Sequence, residues 1–84
     1  MRLDKYLKVS RLIKRRTIAN EACDGERVSV NGRTAKASYD VKPGDVIEVR
    51  FGQRTLKVEV LNTSEHVAKA DAPAMYREIA GVAN

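Results

Sequence analysis

Asn31-Gly32, in the middle of "RVSVNGRTAK", restricts the fold more than any other feature of the chain. Both residue types tolerate positive φ, which a two-residue turn between antiparallel strands requires. The stretch therefore predicts a strand, a tight turn and a return strand. Pro43-Gly44 in "VKPGDVIEVRF" suits a type II turn ahead of another strand. In that strand Ile47, Val49 and Phe51 alternate with Glu48 and Arg50. "RTLKVEVLN" alternates again through Leu56, Val58 and Val60, with "FGQR" joining the pair. Short strands linked by tight turns predict a small antiparallel sheet.

The residues ahead of this sheet have a different period. Leu3, Tyr6 and Leu7 recur at three and four residues, so 3–9 is expected to be a short helix with Tyr6 in the core. Lys5 and Lys8 share the other side with Asp4, which reads as a first-turn anion or cap. A connection over 10–14 leads to a second helix, 15–24, stopped by Gly25. Ile18, Ala19, Ala22 and Cys23 form its apolar stripe, while Arg16 and Asn20 lie on the opposite face. Asp71 and Pro73 start a last helix holding Met75, Tyr76 and Ile79. The expected class is α+β: two short N-terminal helices packed on a small antiparallel sheet, then a short C-terminal helix. With 84 residues the chain is expected to be one domain, 1–84, with a thin core.

Charge is distributed unevenly. Residues 2–16 hold Arg2, Lys5, Lys8, Arg11, Lys14, Arg15 and Arg16 against Asp4 alone, a balance of +6 where the whole chain carries +5. Leu3, Tyr6, Leu7, Leu12 and Ile13 interleave these cations, which a solvated basic arm would not need. Lys14-Arg15-Arg16 falls where the second helix begins, an end that disfavours cations and welcomes anions. That cost is offset when a phosphate arrives and meets both the side chains and the free backbone N–H groups. Arginine adds planar, bidentate contacts suited to phosphate, so the expected ligand is RNA.

Other chemistries find little support. One cysteine excludes an internal disulfide and suits a reducing compartment. Cys23 lies on an apolar stripe and has no sequence cue linking it to His66, so a nucleophilic thiol is a poor reading. A single Cys and a single His do not make a zinc set, and neither a P-loop nor a dinucleotide fingerprint is present. No cofactor and no enzymatic activity are expected. The amino terminus lacks the apolar block of a signal peptide, and no stretch is long enough to span a bilayer; a cytoplasmic protein is expected.

The order of these pieces resembles the RNA-binding domain named after ribosomal protein S4. The resemblance rests on "RLDKYL", then "RRTIANEACDGERVSVNG", then "KASYDVKPGDVIEV", over residues 2–50. It implies an S4-like core over about 2–61 and a C-terminal extension over 62–84. Within the family the chain is most similar to the small bacterial ribosome-quality-control factors. A relative, the fifteen-kilodalton heat-shock protein, differs by a longer basic tail, whereas this sequence ends in "MYREIAGVAN". The resemblance implies a monomeric clamp on obstructed large ribosomal subunits, touching 23S rRNA and peptidyl-tRNA. Its co-worker there would be the tailing factor RqcH, which adds alanines to the stalled chain. Arg2, Lys5, Lys8, Arg11, Lys14, Arg15 and Arg16 would grip RNA backbones, and Arg33 would extend that face. Asp4 enters the set as part of "RLDKYL", with a structural role as its alternative. Three other readings stay open: a general rRNA- or tRNA-binding accessory or heat-shock recycling factor, the appended part of an RNA-modifying enzyme, and a partner of an acidic protein.

Overall fold

The computed structural model describes residues 1–79; the last five residues of the expected domain lie outside the described residues. Two helices, α1 (Leu3–Val9) and α2 (Arg16–Asp24), precede β1 (Val28–Val30), β2 (Arg33–Thr34), β3 (Val46–Phe51) and β4 (Arg54–Val60). A 3-10 helix, Lys69–Met75, and a fifth strand, β5 (Tyr76–Glu78), follow. The strands form one sheet in the order β2-β1-β3-β4-β5, antiparallel at every pairing. Asn31 and Gly32 turn the β1–β2 hairpin at φ 53° and 85°. The Asn31 side chain also accepts from the Val46 N–H at 2.9 Å and donates to Asp45 at 3.1 Å, tying the hairpin to the start of β3.

Alternation gives the sheet one apolar face. Val28, Val30, Ile47, Val49, Val58 and Val60 are buried beneath Leu3, Tyr6 and Leu7 of α1 and Ala19, Ala22 and Cys23 of α2. Burying this face is the main stabilising term for so small a domain. Tyr6 is in the core as expected, and its hydroxyl donates to the Met75 carbonyl at 2.8 Å. The same carbonyl accepts from the Leu61 and Asn62 N–H groups at 2.8 and 3.1 Å, so the hydroxyl joins α1 to the segment that follows β4.

Three details differ from the sequence reading. Ile18 is 48% exposed, because it sits about 90° around α2 from the centre of the Ala19-Ala22-Cys23 stripe. The C-terminal helix is present but ends at Met75, so Tyr76 and Ile79 are not helical. Tyr76 pairs with Val60, and the Ile79 N–H donates to the Lys57 carbonyl at 2.8 Å. The open edge of β4 offers that segment a ladder of partners, which a single further helical turn does not. Finally, α2 closes on Glu26 rather than on a left-handed glycine. Glu26 takes φ 65°, with the Glu26 and Arg27 N–H groups donating to the Cys23 and Ala22 carbonyls.

Candidate nucleic-acid interface

The amino end of α1 is occupied. The Leu3 and Asp4 N–H groups donate to the Tyr39 and Ala37 carbonyls, and the Met1 amino group pairs with Asp40 at 2.8 Å. The amino end of α2 is open. Arg15 is its N-cap residue, no side chain caps it and no acid lies in its first turn. Among the described residues, the N–H groups of Arg16, Thr17 and Ile18 find no acceptor. An uncapped end flanked by Lys14, Arg15 and Arg16 matches an anion better than it matches water.

Asp4 is almost wholly buried and links the two helices. Its Oδ1 accepts from the Lys5 N–H at 2.8 Å and Arg2 Nε at 3.1 Å. Its Oδ2 accepts from Asn20 Nδ2 at 3.2 Å and Arg2 Nη2 at 3.3 Å, and pairs with Arg16 Nε at 3.5 Å. Burial alone pushes the Asp4 carboxyl up, but the Arg2 and Asn20 hydrogen bonds and the Arg16 charge outweigh it and hold it at about 2. Asp4 therefore does not share an outward face with Lys5 and Lys8, because α2 packs over its side of α1. Nor are Arg16 and Asn20 idle: both turn from α2 toward Asp4. The two guanidiniums stay about half exposed, anchored at one edge by a buried carboxylate. Such an anchor fixes their direction at low entropic cost when a phosphate binds. In the sequence Asn20 is legible only as the residue four after Arg16, on the same face of α2.

The remaining cations divide into three groups. Lys8, Arg11, Lys14 and Arg15 are exposed and make no ion pair among the described residues. Lys8 and Arg11 border an open groove of about 500 Å³ that His66 and Val67 close on the far side. Arg11 holds φ 65° at the end of α1, its N–H donating to the Lys8 carbonyl at 3.0 Å. A side chain with a Cβ tolerates that conformation poorly, and such strain clusters at functional positions. Lys5 is engaged by Glu65 at 2.6 Å, which holds the Glu65 carboxyl below its ordinary range. Arg33 stands on the edge strand β2 opposite Val30, and no polar contact joins it to the others. Cys23 is buried and its thiol is pushed up to about 11, by burial first and then by Asp4 and Asp24, so it is no nucleophile. Among the described residues no group of three His, Cys, Asp or Glu side chains is placed to hold a metal, and no helix is long and apolar enough to cross a membrane.

Comparison with known proteins shows the family. The family model of the S4 domain matches residues 1–47. The RQC P-site tRNA stabilizing factor of Bacillus subtilis (strain 168) is 58% identical over 76 residues, covering 90% of this chain and 88% of that one. Its counterpart in Streptococcus pneumoniae is 54% identical over 79 residues, covering 94% and 90%. Among solved structures, heat shock protein 15 of Vibrio cholerae, described as trimeric, superimposes with a TM-score of 0.87 at 33% identity, over 95% of this chain and 82% of that one. The Asp4-anchored arginines and the uncapped second helix all lie inside the matched segment, and the identity runs on through the sheet. The chain therefore belongs to the S4 domain family and, within it, to the RQC P-site tRNA stabilizing factors.

Proposed function

We propose that this protein is an RNA clamp of ribosome-associated quality control. It binds obstructed large ribosomal subunits and steadies the peptidyl-tRNA in the P site while the stalled chain receives its C-terminal alanines. One observation carries the reading: a buried carboxylate, Asp4, holds the half-exposed Arg2 and Arg16 side chains beside the uncapped amino end of α2. Phosphate is the anion that uses fixed guanidiniums and free backbone N–H groups together. The relatives' printed name, P-site tRNA stabilizing factor, points the same way. In this role 23S rRNA and the tRNA backbone are the ligands, RqcH performs the tailing, and the protein acts as a cytoplasmic monomer with no chemistry of its own. Lys8, Arg11, Lys14 and Arg15 add long-range attraction, and Arg33 extends the face.

The likeness to heat shock protein 15 favours a second reading, a general recycling factor for such subunits. It shares the RNA contacts and differs in needing no RqcH.

The test separates binding from folding. Among the described residues Arg15 makes no ion pair, so Arg15→Glu should melt like the parent while losing about tenfold or more in affinity for obstructed large subunits in co-sedimentation. Alanine tailing reconstituted with RqcH should fall in parallel. Normal binding by this variant removes the α2 end from the RNA face; normal tailing without the protein favours the recycling role.

A further inference from the structure

We infer that the tip of the β3–β4 hairpin is a second RNA contact, a platform on which Phe51 stacks an unpaired base while neighbouring arginines hold its phosphate. The inference rests on the RNA-binding reading above and adds a site at the other end of the molecule.

Phe51 closes β3 and is 43% exposed, although it continues the inward alternation of Ile47 and Val49. It lies past the last core residue and is not among the apolar side chains that pack on the core. Its cross-strand partner is Arg54, and its neighbour Arg50 faces Thr55. The Arg50 N–H donates to the Arg27 carbonyl at 2.9 Å, which brings a third arginine to the same end of the sheet. All three arginines are exposed, and none makes an ion pair among the described residues. Glu26 and Glu48 are the acids nearby, and Glu48 faces Lys57 across the strand pair and accepts from Ser29 at 3.5 Å. The tip therefore stays cationic on balance.

Folding offers no reason to pair an exposed aromatic ring with Arg54 on one face of this turn while Arg27 and Arg50 stand together on the other. A nucleotide does: the ring stacks on a base of any identity, and the arginines pair with phosphate or stack in turn. Gly52 keeps the approach open, since a Cβ built there would meet nothing within 4 Å. The tip lies at the end of the sheet where α2 delivers the chain into β1. The Arg16 cluster sits at the opposite end of α2, a helix of nine residues and about 13 Å. That spacing makes it a separate contact, suited to a looped-out nucleotide rather than to the same phosphates. An acidic protein surface would use the arginines but leave the ring without a partner.

Two measurements on the full chain test this. With photoreactive benzoylphenylalanine in place of Phe51, irradiation on obstructed large subunits should give a crosslink to RNA. A crosslink only to protein, or none while the chain is bound, overturns the proposal. Phe51→Ala should weaken subunit binding about five- to hundredfold, and Phe51→Trp should restore it. Arg15→Glu, at the other face, controls for the underlying reading. If Arg15→Glu loses affinity and Phe51→Ala does not, the tip is excluded and the clamp stands. If Phe51→Ala alone loses affinity and the crosslink is to RNA, the tip stands and the α2 face falls.

Discussion

Asp4 shows how one buried group can serve both stability and binding. Its carboxyl, ordinarily near 3.8, is held at about 2 in the native protein, so the folded state favours the charged form. The stability it contributes is fully present above the ordinary value and is lost as pH falls through about 2. Asp4→Asn should cost about 1–3 kcal/mol at neutral pH in a denaturant titration. It should also flatten the acid limb of the stability profile and free both guanidiniums, weakening subunit binding. An unchanged acid limb would place the titration elsewhere. Arg11 is the opposite case. Its positive φ suits glycine, so Arg11→Gly should raise stability by about 0.5–1 kcal/mol while weakening subunit binding through the lost cation. If melting and binding both improve, Arg11 does not contact RNA.

At the scale of elements, α2 is shaped more by its ends than by its middle. Its amino end lacks every ordinary stabiliser, and its carboxyl end is closed by the Glu26 and Arg27 backbone. Gly25 precedes that closure at φ −84°, a value any residue adopts. Its missing side chain matters for space: a Cβ there would stand 2.9 Å from the Glu21 carbonyl oxygen. Gly25→Ala should therefore cost about 1–2 kcal/mol, read as a drop in melting temperature of roughly 4–8 °C per kcal/mol. A neutral result would mean that the last turn of α2 relaxes freely. The 3-10 helix and β5 act as a clasp, since Met75 and Tyr76 pack on the core and Tyr6 hydrogen-bonds the Met75 carbonyl.

At the scale of the molecule, the charge excess resides in residues 2–16, α1 and the connection that leads into α2, held on a one-sided sheet, so it acts as a directed face. Binding that neutralises phosphates releases counterions. The logarithm of subunit affinity should therefore fall linearly with the logarithm of salt concentration, with a slope of about −0.7 per phosphate on single-stranded RNA and roughly three to five phosphates engaged. A flat dependence between low and moderate salt would remove the electrostatic clamp. Loss of the hairpin-tip arginines should shallow the slope further if the second contact holds.

The sequence by itself determined the elements that depend on neighbours along the chain. Asn31-Gly32 set a hairpin because its φ requirement is local, Leu3-Tyr6-Leu7 set α1 by spacing, and the +6 of residues 2–16 marked the basic end. Whatever depended on an element's far partner was decided only in three dimensions. Asp4 looked solvent-facing until α2 covered it, and Arg16 looked free until the same packing brought it to 3.5 Å of that carboxylate. Tyr76 read as helical because nothing nearby in sequence reveals that β4 has an open edge to fill. Periodicity reports which face of an element is apolar; which neighbour satisfies its polar groups is a property of the assembled chain.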